Sequence, residues 1–125
     1  MIKILVVDDE AGVCHLIEKT LAYSGFSVFT AKNAQKALGI LHKEKINVVF
    51  LDIIMPNVNG LDFLKEIKAF NKDIAVFMVS VQSDEATRQK ARELGADGFV
   101  SKPFEHEHLH ELIMQKVLPN ISPDK

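Results

Sequence analysis

Short runs of aliphatic and β-branched residues alternate along this chain with longer stretches whose apolar positions recur every three or four residues. The short runs are Lys3–Val7 and residues 26–31, 48–51, 74–79 and 98–101. Runs of this kind read as strands buried on both faces, as in a parallel sheet. The second is the weakest, because Ser27 and Thr30 interrupt it.

The longer stretches predict helices. Residues 12–24 place Val13, Leu16, Ile17 and Leu21 on one face and stop at Gly25. Asn33 can cap a helix carrying Ala34, Ala37, Leu38 and Leu41. The turn-rich Met55-Pro56-Asn57-Val58-Asn59-Gly60 leads into Leu61, Leu64 and Ile67. Ser83-Asp84-Glu85 opens a fourth helix toward Leu94, with acids in the first turn where the dipole favours them. Its apolar residues are chiefly Ala86, Ala91 and Leu94, so it should lie shallowly on the sheet. Residues 105–118 carry Leu109, Leu112, Ile113 and Val117 on the fifth helical face.

Five βα units in unbroken alternation predict an α/β fold: a doubly wound, five-stranded parallel sheet with right-handed crossovers and strand order 2-1-3-4-5. Residues 1–118 then form one domain. Residues 119–125, polar with two prolines, read as a tail or the start of a linker.

Several of the strands end on ionisable residues. Ile4-Leu5-Val6-Val7 runs into Asp8-Asp9, residues 48–51 into Asp52, and Gly98-Phe99-Val100-Ser101 into Lys102-Pro103. Ligand sites of open parallel sheets form beyond the carboxyl ends of the strands, and the predicted strand order puts the topological switch between the first and third. Three acids and a lysine should therefore share one crevice. Carboxylates so grouped repel one another unless a cation sits among them. Oxygen-only ligation suits Mg²⁺, and the lack of His or Cys near these strand ends argues against zinc. Taken singly, each acid has a plainer reading as a solvated loop or capping residue. Taken together with Lys102 they do not.

Composition narrows the partners. The chain of 125 residues is 47% hydrophobic and 26% charged, as in ordinary globular domains, and its net charge of −2 offers no basic field for nucleic acid or an anionic membrane. The single cysteine, Cys14, reads as a small buried hydrophobe and excludes an internal disulfide. No apolar run approaches the roughly 18 residues of a membrane span. The expected compartment is the cytoplasm.

Val6-Val7-Asp8-Asp9-Glu10, Asp52-Ile53-Ile54-Met55-Pro56 with Gly60, Ser80, Phe99 and Lys102-Pro103, in that order and at strand ends, resemble the receiver domain of two-component response regulators. The resemblance covers about residues 2–118 and implies a flavodoxin-like (βα)5 fold. It implies that Asp52 accepts a phosphoryl group from a sensor histidine kinase or a histidine phosphotransfer protein. In that reading Mg²⁺ is held by Asp9, Asp52 and the backbone carbonyl of Ile54, with Asp8 reaching it through water, and Lys102 pairs with the phosphoryl oxygens. Ser80 and Phe99 become the switch residues, and a face built from the fourth helix, fifth strand and fifth helix docks an effector. Homodimerisation on phosphorylation is a further implication, as is a cis Lys102-Pro103 bond. The domain is then a signalling module that takes part in its own phosphorylation and dephosphorylation, not a turnover enzyme.

Some positions depart from the family's pattern. Val81 stands where Ala is common, and Ile54 and Gln82 flank the acceptor, one possible water-orienting group being replaced by an apolar one. Slow self-dephosphorylation is the expectation. Phe99 lacks the hydroxyl with which a tyrosine would mark its two states.

Other readings compete. A Mg²⁺-dependent aspartyl-phosphate phosphatase would place a second acid two residues after the nucleophile, where this chain has Ile54. A receiver used only for docking would have lost site residues, and none is missing. A flavodoxin-type nucleotide binder would need a neutral, glycine-rich first turn in place of an acidic one. His106 and His110 share a helical face and could hold a transition metal, though with His108 they read more simply as a solvated helix start.

Overall fold

The computed structural model describes residues 2–55, 58–80, 84–102 and 106–117. Five parallel strands, β1 (Lys3–Val7), β2 (Ser27–Ala31), β3 (Val48–Asp52), β4 (Ala75–Ser80) and β5 (Gly98–Ser101), form one sheet in the order β2-β1-β3-β4-β5. Helices α1 (Ala11–Tyr23), α2 (Ala34–Lys43), α3 (Gly60–Phe70), α4 (Glu85–Glu93) and α5 (His106–Leu112) connect and follow them. The predicted class and strand order are those observed.

The helices start where side chains can close their first turns. Asn33 accepts a hydrogen bond from the Lys36 amide at 2.7 Å, and Asn59 accepts from Leu61 at 2.8 Å. Asp84 accepts from Thr87 at 3.1 Å. Such caps satisfy amides that have no partner within the helix. Helix α1 ends at Gly25, whose φ of 94° is open to glycine at little cost.

Alternation along the strands divides the core into two layers. Leu5, Val7, Val49, Leu51, Val76 and Met78 face Ala37, Leu41, Phe63, Leu64, Ile67 and Ala91 of α2, α3 and α4. Ile4, Val6, Val48, Phe50, Phe77 and Val79 face Cys14, Ile17, Leu21, Leu109 and Ile113 on the other side. Both faces of the central strands β1, β3 and β4 are thus buried, which explains their continuous apolar runs, while the edge strands β2 and β5 are mostly half-buried. Helix α4 buries only Ala91 and lies shallow, as its composition predicts.

Four details differ from the sequence reading. Leu16 does not join the buried face of α1: it is 42% exposed, and Thr20 is buried instead, beside Cys14, which is buried as expected. The sheet contacts α1 along Ile17 and Leu21, which rotates Leu16 toward a surface groove shared with Tyr23 and His110. Ile54–Met55 pairs antiparallel with Val58–Asn59 inside the stretch read as turn. Phe63 is buried on α3 beside the expected Leu64 and Ile67. Past Leu112 the fifth helix continues as a π-helical turn, Ile113–Val117, where one continuous helix was expected. The domain limit at residue 118, the tail 119–125, Ser83 and the Lys102-Pro103 bond lie outside the described residues.

Candidate functional site

The carboxyl ends of β1, β3 and β5 meet on one edge of the sheet because β1 and β3 pair in register, Val7 beside Leu51, and β4 pairs with β5. Asp8 follows β1 directly and is buried at 1% exposure, its amide donating to the Ala31 carbonyl at 3.1 Å. Asp52 is the last residue of β3 and is buried too, at 5%. Its Oδ1 accepts from the Ile54 amide at 3.2 Å.

Lys102 joins these acids. Its amide donates to the Ser80 carbonyl at 2.9 Å, which fixes the start of its side chain against β4. Its Nζ lies 3.0 Å from Asp8 Oδ2, 3.1 Å from Glu10 Oε1 and 3.5 Å from Asp52 Oδ2. Asp8 Oδ2 faces that ammonium yet accepts no well-aligned hydrogen bond. The contact is an ion pair with spare acceptor capacity.

Electrostatics follow from this crowding. Burial and the nearby Asp8 charge raise the Asp52 carboxyl to about 6, against the opposing pull of Lys102 and the Ile54 amide. Burial by itself would lower the Lys102 pKa, but the close Asp8 and Glu10 carboxylates and the Asp52 charge outweigh it and raise the ammonium above its ordinary range. Beneath the site, Cys14 Sγ donates to the Asp8 carbonyl at 3.2 Å, and burial pushes that thiol up to about 11.

Among the described residues, Asp8, Glu10 and Asp52 each bring an oxygen into a group spanning no more than 4.8 Å. The donor set is hard and oxygen-only, and one of its oxygens is buried without a hydrogen bond. Those properties fit a divalent cation such as Mg²⁺. Asp9, singled out in the sequence, is exposed and outside this group, to which Glu10 belongs. The signal for Glu10 was available in the acidic run itself. One extra methylene lets a side chain at the start of α1 reach back to Lys102.

Gly60 explains how the acceptor loop stays close to α3. A Cβ there would collide with the Asp52 carbonyl oxygen and sit 2.6 Å from Ile53 Cα, while the Gly60 amide donates to the Ile53 carbonyl at 2.9 Å. Ile54 itself is 64% exposed at the mouth of the site. Ser80 is buried at the end of β4, and Phe99 packs, half-buried, on the side of α2, α3 and α4. The Arg88 guanidinium lies over the Phe99 ring, 5.2 Å from its centroid, a contact that apolar patterning does not signal. Val81, Gln82 and Pro56 lie outside the described residues.

His110 Nδ1 lies 3.2 Å from Ser24 Oγ and its ring is 6.3 Å from that of Phe26, while His108 is exposed. The His106 side chain lies outside the described residues. No described helix is long and apolar enough to cross a membrane.

Known proteins resemble this chain in sequence and fold. The family model for the response regulator receiver domain matches residues 4–114. The sporulation initiation phosphotransferase F of Bacillus subtilis (strain 168) is 32% identical over 117 residues, 94% of each chain. A probable transcriptional regulator, ycf27 of Guillardia theta, is 39% identical over 111 residues, 89% of this chain and 43% of that one. The chain thus spans less than half the length of this second relative. The structure of Vibrio cholerae chemotaxis protein CheY4 superposes with a TM-score of 0.88 at 30% identity, covering 94% of this chain and 99% of its own. With the fold, the strand-end acids and the family match in agreement, the chain belongs to the receiver domains of two-component response regulators.

Proposed function

We propose that Asp52 accepts a phosphoryl group from a phosphohistidine on a sensor histidine kinase or histidine phosphotransfer protein, and that the modified domain presents an altered surface to an effector. An Asp52 oxygen forms the new P–O bond as the donor's P–N bond breaks, and the departing imidazole keeps the electron pair and takes a proton from water. The observation that carries this reading is the placement of Asp52: buried, at a strand end, with a lysine ammonium 3.5 Å away and ready to face a phosphoryl oxygen. Phosphoryl transfer asks for positioning and charge neutralisation more than for a strong base.

Asp9, Asp52 and the Ile54 carbonyl are the proposed Mg²⁺ ligands, with Asp8 acting through water and Glu10 as an additional carboxylate at hand. The cation would neutralise charge on the transferring group. Asp8 and Glu10 hold Lys102 over Asp52, and Lys102 supplies a point charge to the product. The phosphoryl group carries about −1.5 to −2 charge, enough to attract the Ser80 hydroxyl. The Phe99 ring then moves toward Ser80, and the face of α4, β5 and α5 changes for an effector or a second copy of the chain. A kinase partner of this kind agrees with a cytoplasmic location, and residues 1–118 serve as the receiver unit.

The test is incubation with Mg²⁺ and acetyl phosphate followed by intact mass measurement. Parent protein should gain one phosphoryl group and Asp52→Asn should gain none. Equal labelling of the variant would refute the assignment.

A further inference from the structure

The Phe99 ring has a place to leave as well as a place to go. In the β4–β5 pairing Phe99 lies beside Met78, and Ser80 lies beside Ser101. Side chains alternate along a strand, so Met78, Ser80 and Phe99 project to the same side of the sheet. That is the side covered by α4, from which Arg88 sets its guanidinium over the Phe99 ring at 5.2 Å from the centroid. Both side chains are half-buried, so the contact is partly shielded from water. A cation over an aromatic face is attracted by the ring quadrupole, and partial desolvation strengthens the attraction. A phenylalanine has no hydroxyl through which to hold an alternative position, so the ring face is its directional handle.

We propose that Arg88 is a positioning residue for Phe99: its guanidinium retains the ring beneath α4, and the switch advances only as the ring gives up that contact. The inference rests on the proposed phosphorylation of Asp52 and adds to it the element that sets the resting equilibrium. Arg88 lies on α4, so the same contact ties the position of that helix to the state of the ring. Losing a contact of this kind shifts a two-state equilibrium by about 2- to 5-fold.

The experiment uses Arg88→Met, Arg88→Lys and Phe99→Leu in the full chain. Phe99 ring resonances are followed by NMR, and the rate of labelling by acetyl phosphate with Mg²⁺ is followed by mass. Methionine keeps helix propensity at a half-exposed position, so α4 is retained. Arg88→Met should move the resting Phe99 resonances toward their phosphorylated values and speed labelling about 2- to 5-fold, and Arg88→Lys should stay near the parent. In the Phe99→Leu background, Arg88→Met should have no further effect. Unchanged resonances and rates in Arg88→Met, or an equal effect of that substitution with and without Phe99, would overturn the inference. Failure of the parent to label at Asp52 would instead remove the reading beneath it, so the two failures are distinguishable.

Discussion

The Lys102 ammonium lies 3.5 Å from an Asp52 carboxylate oxygen, yet Asp52 holds its proton up to a pH of about 6. Burial and the Asp8 charge outweigh the lysine, whose Nζ is closer to Asp8, at 3.0 Å, than to Asp52. The acceptor is thus held as an uncomfortable anion, which a divalent cation would relieve.

A consequence for stability has a definite sign. An unfolded Asp52 titrates near 3.8 and the folded one near 6, so the folded state binds the proton more tightly. The resulting stabilisation is full below the unfolded value and is lost as pH rises through about 6. Asp52→Asn removes the anion and should be more stable than the parent at pH 7 without divalent cations, by on the order of 1–2 kcal/mol. Thermal melts from pH 4 to 8 should converge at the acidic end. A variant less stable than the parent at pH 7 would contradict this.

Lys102→Met should act in the opposite direction. It leaves Asp8 and Asp52 buried without their common cation, a loss of about 2–4 kcal/mol. Protonation of Asp52 offers relief, so the loss should be greater at pH 8 than at pH 5. Carboxyl carbon shifts should also show the Asp52 pKa rising above its parent value of about 6.

At Gly60 the obstacle is backbone. A methyl group would meet the Asp52 carbonyl and Ile53 Cα, atoms that cannot rotate away. Gly60→Ala should cost about 1–3 kcal/mol in urea denaturation and displace the acceptor loop, slowing acetyl phosphate labelling. Parent-like stability and rate together would show that the loop tolerates the shift.

Far from the site, Asp97 Oδ2 accepts from the Val76 amide at 2.8 Å and from Lys68 Nζ at 2.9 Å. Asp97→Ala leaves the Val76 amide at the start of β4 without its acceptor and should cost about 1–3 kcal/mol. Lys68→Met should cost less, because Asp97 Oδ2 keeps its bond from the Val76 amide and the apolar stem of residue 68 is retained. Urea titrations of both variants would rank them.

Ile54, exposed beside the acceptor, presents no group to orient an attacking water. Phosphorylated Asp52 should therefore decay slowly, and Ile54→Asn should shorten its lifetime several-fold. Timed mass measurement after removal of acetyl phosphate decides it. Parent decay within seconds would defeat the expectation.

Much of the fold follows from local pattern. Apolar runs ending at Asp8, Asp52 and Lys102 implied strands buried on both faces, and the observed strand order then brings their ends together. Leu16 was misread because helical spacing gives only an apolar arc. Which edge of that arc is covered depends on how α1 meets the sheet, and Thr20 is buried where Leu16 is not. The Ile54–Met55 ladder escaped for a related reason, since turn residues do not reveal a pairing only two residues long.

By itself the sequence determined the strands, the helix starts at Asn33 and Asp84, and the set of residues at the carboxyl edge, because periodicity and capping are local. Tertiary structure alone decided which charges meet. Glu10 rather than Asp9 reaches Lys102, Gly60 packs against the acceptor backbone, and Arg88 covers Phe99. Those outcomes depend on side-chain reach and on the approach of elements distant in sequence, which no local pattern encodes.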